Sequence, residues 1–256
     1  MLRKTYTPIL RLLTLCLMVH PLLLVSQTYV NKEWSQTTGL PGNIDWSASA
    51  VDPQGNIIVV GNTLVAPGDP DVLISKFNRD GNLLWQQQYH GNTDGEDYGT
   101  AVAIDHLGNC YVAATVSNEG AAFDVAVLKY DPEGVLAWHA EWNGAANLYD
   151  VPSSIAVDAT GNIYVAGTTY SSAMNPNYLL LKLNSNGAFQ WASTYDYAGF
   201  PDVATGVSFD PMMDPVVTGG RTMPAPTRGS APTPIDQRNR GCSPREVAGV
   251  AGVDNA

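Results

Sequence analysis

Basic residues are scarce in this sequence. Its 256 residues include 13 Lys or Arg against 24 Asp or Glu, and positions 27 to 220 hold five basic residues against 21 acidic ones. A surface with this charge repels the phosphate groups of nucleic acids and of anionic lipids. Nucleic acids are therefore excluded as expected partners, whereas cations, neutral glycans and basic proteins are compatible with the charge.

Long apolar runs are absent except near the N-terminus, where residues 12–25 follow three basic residues. His20 and Pro21 interrupt this run and leave it short for a membrane span. A charged start followed by a short apolar core is typical of a secretory signal. We therefore expect residues 1–26 to be a signal peptide, and the mature chain to be secreted or held at the cell surface without membrane insertion.

Cysteine is also rare, with three in the chain, and Cys16 lies within the N-terminal segment. The other two, Cys110 and Cys242, cannot build the framework of disulfides that holds many small extracellular domains. A packed apolar core must then supply the stability, and a hydrophobic content of 45% is sufficient for one.

Two landmarks recur with a period of 53 residues. The first, Asp-x-x-Gly-Asn, occupies residues 52–56, 105–109 and 158–162. The second, Lys-x-x-x-x-Gly-x-x-x-Trp, starts at Lys76 and returns with the same period at residues 129 and 182. Repetition of a unit of this size predicts a repeat architecture rather than a set of unrelated domains.

Each landmark predicts a tight β-hairpin turn. Asp can bond its own backbone in a turn, Gly can adopt a positive φ, and short runs rich in β-branched and aromatic residues flank both landmarks. Two hairpins per unit give four antiparallel strands, which we call A to D. The expected fold is all-β, an incomplete β-propeller of about three and a half four-stranded antiparallel blades.

The repeat resembles the bacterial seven-bladed β-propeller repeat family. The resemblance rests on residues 155–167, which read Ile-Ala-Val-Asp-Ala-Thr-Gly-Asn-Ile-Tyr-Val-Ala-Gly, and on residues 182–191, which end the second landmark with Trp191. It implies the propeller fold and a secreted protein, and it supplies no catalytic residues to carry over.

The period also predicts the domain organisation. After Gly220 the pattern stops and a segment rich in Pro and Arg begins. Such a change is expected of a truncated or frame-shifted gene, or else of a natural linker. The predicted segments are a signal peptide at 1–26, propeller repeats at 27–220 with blades at about 45–91, 92–144 and 145–197 and a partial blade at 198–220, and a disordered or aberrant tail at 221–256.

The order of strands divides the turns between two rims. Turns A–B and C–D share one edge, the tight-turn rim, and loops B–C and D–A share the other, the long-loop rim. On the tight-turn rim each repeated lysine is expected to pair with the Asp that opens its own repeat, as a structural contact. The repeated tryptophans could stack on sugars, but filling the space between sheets is the commoner role of such a stripe.

The long-loop rim holds the candidate metal ligands. Asp94, Glu96 and Asp97 offer carboxylate oxygens at short spacing, as calcium prefers. The segment lacks the full calcium-loop pattern, so the alternative is a solvated acidic loop. No other cofactor is expected.

The sequence favours a binding or adhesion scaffold that presents the long-loop rim to a protein or a glycan. Alternatives are the propeller portion of a larger secreted hydrolase or lyase, and a structural spacer of a surface protein. Signatures of serine hydrolases, zinc proteases and phosphate-binding loops do not occur, so we expect no enzymatic activity.

Overall fold

The computed structural model describes residues 44–64, 70–118, 122–172 and 175–221. The predicted signal peptide and nearly all of the predicted tail lie outside these ranges. Within them the strands are β1 (Ile44–Val51), β2 (Ile57–Leu64), β3 (Pro70–Phe77), β4 (Leu83–Tyr89), β5 (Tyr98–Ile104), β6 (Cys110–Ser117), β7 (Phe123–Tyr130), β8 (Leu136–Trp142), β9 (Asp150–Val157), β10 (Ile163–Ser172), β11 (Asn175–Leu183), β12 (Phe189–Tyr195), β13 (Asp202–Phe209) and β14 (Pro215–Arg221).

The strands form four separate sheets in chain order. Strands β1 to β4, β5 to β8 and β9 to β12 make three four-stranded sheets, and β13 pairs with β14 in a fourth. Every pairing is antiparallel. The predicted fold class, an incomplete propeller of four-stranded blades, is confirmed. No helix capable of crossing a membrane occurs among the described residues.

The A–B turns follow the chemistry of their sequence. The Gly55 amide donates to the Asp52 carbonyl at 2.9 Å, and Asp52 Oδ1 accepts the amides of Gln54 and Asn56 at 3.0 and 2.7 Å. Gly55 has a φ of 82°, a conformation that costs other residues a steric clash. The same bonds recur at Asp105 and Asp158.

In the second and third blades the two central strands are buried on both faces, whereas β2 of the first blade is fully buried on one face only. In the second blade, β6 and the middle of β7 are buried nearly throughout, and the edge strand β8 is exposed or half-buried. Sheets stacked face to face bury both sides of their central strands, which therefore read as continuous apolar runs. The first interface packs Ile58, Ile74 and Leu128 into one core.

The repeated tryptophans join successive blades. Trp85 Nε1 donates to the Pro132 carbonyl of the next blade at 3.0 Å, and Trp138 Nε1 donates to the Ser185 carbonyl at 3.2 Å. A Cβ at Gly134 would lie 2.6 Å from the Trp85 ring. These indoles thus pack under the C–D turn of the following blade. The repeated tryptophans fill the space between the sheets, as the commoner of the two predicted roles requires.

The predicted Lys–Asp pair forms in the first blade only. Lys76 Nζ lies 2.9 Å from Asp52 Oδ2, with both side chains buried. In the other two blades the prediction is wrong, because Lys129 lies over the Tyr111 ring at 5.1 Å and Lys182 lies over a tyrosine in the same way.

In the second blade the cause is the second residue of strand B. It is Ile58 in the first blade, but Tyr111 in the second, and the Tyr111 hydroxyl donates to Asp105 Oδ2 at 3.1 Å. The tyrosine hydroxyl thus binds Asp105 Oδ2, the atom equivalent to the Asp52 oxygen that pairs with Lys76 in the first blade. A cation over an aromatic face is the remaining favourable position for Lys129.

Candidate functional site

The aspartates of the tight-turn rim have their oxygens fully used by local bonds. Asp105 accepts the amides of Leu107 and Asn109 at Oδ1, and the side chains of Asn109 and Tyr111 at Oδ2. Burial opposes the charged form, but these bonds outweigh it, so the pKa of Asp105 lies below its usual value. The pKa values of Asp52 and Asp158 are lowered by the same balance. These carboxylates are structural.

The aspartates of the long-loop rim are held differently. Asp97, Asp124 and Asp150 are at most 1% exposed. Burial raises the pKa of each, since the hydrogen bonds that they accept do not outweigh the loss of solvation. Asp97 accepts the Gly91 amide at 2.5 Å and the Ser117 amide at 3.0 Å, whereas one oxygen of Asp124 has no hydrogen-bond partner among the described residues.

These aspartates lie on the long-loop rim, at the places where one blade ends and the next begins. We call these places junctions. Each combines a residue at the start of strand C, one just after strand D, and an Asp at the start of the next strand A. The first junction holds Asp71, His90 and Asp97, the second Asp124, Asn143 and Asp150, and the third Asn177, Asp196 and Asp202.

The first junction has the geometry of a metal-capable cluster. His90 Nδ1 lies 2.9 Å from Asp71 Oδ1 and 3.8 Å from Asp97 Oδ2. One ligand atom from each of the three residues falls within 4.8 Å of the others. When protonated, His90 also serves as a counter-charge to both carboxylates.

The three carboxylates that the sequence predicts as calcium ligands contact different partners. Asp97 is buried and joins Asp71 and His90. Asp94 is exposed, with Oδ1 3.7 Å from His90 Nε2, and Glu96 accepts the Tyr98 hydroxyl at 2.7 Å. Only Asp97 therefore belongs to a cluster. Calcium binding at Asp94, Glu96 and Asp97 stays a prediction.

The sequence did not predict which residues come together in the junctions. Asp71 and Asp124 lie one 53-residue period apart, as do Asp97 and Asp150. That alignment was visible in the sequence, and it is the signal that could have identified both pairs.

A row of aromatic rings crosses the same rim. Tyr98, Phe123, Tyr149 and Tyr170 follow one another with centroid separations of 6.2, 5.7 and 6.0 Å. Tyr149 is 45% exposed. Beside it lies a concave surface of about 470 Å³ between the second and third blades, with Tyr170, Asn177 and Thr194 in its lining. The rim therefore combines flat apolar faces with amide and hydroxyl groups.

Comparisons with known proteins agree with this architecture. Residues 138–172 match a family model described as a beta-propeller repeat, and residues 159–189 match a beta-propeller domain of unknown function. Comparison with curated proteins finds no match.

Solved structures that are similar to the chain include the following two. One is a protein of unknown function from Dyadobacter fermentans, 13% identical with a TM-score of 0.52, covering 71% of this chain and 64% of that one. The other is a gluconolactonase from Xanthomonas campestris, 15% identical with a TM-score of 0.43, covering 73% of this chain and 57% of that one. The chain thus spans less than two thirds of either protein, and the likeness concerns the fold alone.

Proposed function

We propose that this chain, a β-propeller repeat protein, is a secreted or surface-associated binding scaffold that holds a glycan on its long-loop rim. The observation that carries the proposal is the aromatic row from Tyr98 to Tyr170, which runs across two blades beside a concave surface. Sugar rings present apolar C–H faces that pack on aromatic side chains, and their hydroxyls bond to neighbouring polar groups.

The local chemistry favours a glycan over a basic protein segment. The concave surface is lined by Asn177, Thr169 and Thr194, and no Asp or Glu contributes to its lining. Such a surface offers hydrogen bonds in both directions, as the hydroxyl groups of a sugar require.

The opposite rim is less suited to a ligand. Its turns are short, and the oxygens of Asp52, Asp105 and Asp158 are committed to their own backbone and to neighbouring side chains. A ligand there would have to break these bonds, at a cost of about 1 to 3 kcal/mol for each buried group left unpaired.

A glycan microarray tests this proposal directly. The wild-type chain is compared with Tyr149→Ala and with Leu107→Ala, a control that removes a 64% exposed side chain from the tight-turn rim. Loss of one stacking contact, worth about 1 kcal/mol, should weaken binding roughly fivefold. We expect weaker binding in Tyr149→Ala and unchanged binding in Leu107→Ala. No bound glycan, or equal loss in both variants, would contradict the proposal.

Export is tested separately with the N-terminal segment. Fusion of residues 1–26 to a reporter that is active only outside the cytoplasm should give activity. A fusion with charged residues placed in the apolar run should not. Activity that is independent of the apolar run would argue against a secretory signal.

A further inference from the structure

The first two junctions differ in the residue that follows strand D and in one neutral oxygen, because Thr169 of the second aligns with Val116 of the first. Both hold two carboxyls: Asp71 lies in one cluster with Asp97, and Asp124 and Asp150 each follow one of two aromatic residues, Phe123 and Tyr149, whose ring centroids lie 5.7 Å apart. In the first junction His90 lies between the two as a potential counter-charge. In the second the equivalent position is Asn143, which is neutral.

The second junction is the less satisfied of the two. Asp124 is 1% exposed, its Oδ2 accepts the Asn118 amide, and its Oδ1 has no hydrogen-bond partner among residues 44–64, 70–118, 122–172 and 175–221. A buried carboxylate oxygen without a partner costs free energy in the folded state. In native structures an ordered water, an ion or a ligand usually completes such a group.

Neighbouring negative charges further disfavour the ionised form of Asp124. The Asp124 carboxyl faces the charges of Asp150 and Glu141, both negative. No Lys, Arg or His within the described part of the chain forms an ion pair with Asp124 or Asp150. Two buried like charges side by side are unfavourable unless a proton or a cation lies between them.

The oxygen atoms nearby are those that hard cations prefer. Asp150 Oδ2 accepts the Gly144 amide at 2.6 Å, and the Thr169 hydroxyl is a hydrogen-bond partner of the same carboxyl. Both Asp150 Oδ1 and Thr169 Oγ1 would lie 2.9 Å from a Cβ at Gly144, so a glycine is needed to keep this space open. No cysteine or histidine is part of the set, which disfavours zinc.

We propose that the second junction binds one Ca²⁺ ion between Asp124 and Asp150, in the position that His90 occupies as a counter-charge in the first junction. Asp124 Oδ1 and the Asp150 carboxyl supply the anionic ligands, Thr169 supplies a neutral oxygen, and water completes the shell. Ca²⁺ is favoured over Mg²⁺ because irregular oxygen sets suit its flexible coordination, whereas Mg²⁺ demands near-ideal octahedra.

Calorimetric titration of the full chain with CaCl₂ in chelator-treated buffer tests the site. A site with only two carboxylates is expected at the weak end of calcium affinities, about 10⁻⁴ to 10⁻³ M, so the titration should reach about 10 mM. We expect one ion per chain. Asp124→Asn should abolish detectable binding over this range, since loss even of a group that only supports a ligand weakens metal binding 10- to 100-fold. MgCl₂ should bind more weakly than CaCl₂.

One further variant makes the test specific. Asp94→Asn combined with Glu96→Gln changes the exposed acidic loop and should leave the affinity unchanged. Far-UV circular dichroism in EDTA checks that each variant keeps its β-structure.

Three results would overturn the proposal. One is the absence of binding up to about 10 mM CaCl₂. Another is unchanged affinity in Asp124→Asn with its fold intact, and the third is loss of binding in the Asp94 and Glu96 variant, which would place the ion in the loop.

Discussion

Replacement of Asp52 by Asn should destabilise the chain far more than the same change in the third blade. Asp52 and Lys76 form a buried ion pair, with 0% and 5% of their side chains exposed. Lys76 Nζ also donates to the Pro132 carbonyl of the second blade at 3.1 Å. In Asp52→Asn the lysine keeps its charge and its burial but loses its only anionic partner among the described residues.

The expected cost is about 3 to 5 kcal/mol, the usual result of breaking a buried pair by removing one partner. Asn can still accept the amides of Gln54 and Asn56, so the turn itself survives. Asp158→Asn is the matched control, because it removes a similar turn carboxylate that has no lysine partner, and it should cost about 1 kcal/mol.

Urea unfolding followed by circular dichroism measures both values. The double variant Asp52→Asn with Lys76→Met should recover much of the loss, because it removes the orphaned charge and keeps the apolar stem. Equal destabilisation by Asp52→Asn and Asp158→Asn, or no recovery in the double variant, would refute the role given to the buried pair.

Three other outcomes are expected. The pKa values of Asp52, Asp105 and Asp158 are lowered in the folded state. Their contribution to stability is therefore present above about pH 4 and is lost as the pH falls through the folded pKa values. The urea midpoint should consequently fall less steeply between pH 5 and pH 2 in Asp105→Asn than in the wild type. Burial raises the pKa of Cys110 to about 12, so peptide-resolved mass spectrometry should show labelling of this thiol by iodoacetamide only when the chain unfolds. Gly134→Ala and Gly161→Ala impose similar strain at φ of 86° and 84°, but only the first brings a Cβ within 2.6 Å of Trp85, so it should lower the free energy of unfolding by about 1 to 3 kcal/mol more.

The blade architecture could be predicted because its signals are local. The Asp-x-x-Gly-Asn turn at residue 52 depends on bonds within five residues, and so does each of its repeats. The strands between such turns then have few ways to pair. The bulky residues that fill the space between sheets, such as Trp85, were recognisable from the same period.

The Lys–Asp contacts show where a repeat misleads. Lys129 and Asp105 repeat Lys76 and Asp52 in sequence, but Tyr111 lies where the first blade has Ile58. One substitution on the neighbouring strand redirects the lysine to an aromatic face. A period alone therefore predicts backbone and turns better than it predicts side-chain partners.

The junctions could not be predicted from nearby residues. Asp124 and Asp150 come together because strand C of one blade and strand A of the next begin on the same rim. The sequence drew attention instead to Asp94, Glu96 and Asp97, which are close in the chain but face different partners. Distance along the chain is a poor guide to a site built between two sheets.

The division of labour between the two rims can be tested by comparing Asp105→Asn with Asp124→Asn in urea unfolding with EDTA present. Asp105 needs both carboxylate oxygens as acceptors, so Asp105→Asn should cost about 1 to 3 kcal/mol. Asp124→Asn keeps an acceptor for Asn118 and removes a charge that faces Asp150 and Glu141, so its stability should equal or exceed that of the wild type. If Asp124→Asn lowers the free energy of unfolding as much as Asp105→Asn does, the carboxylates of the long-loop rim stabilise the fold and are not a ligand site.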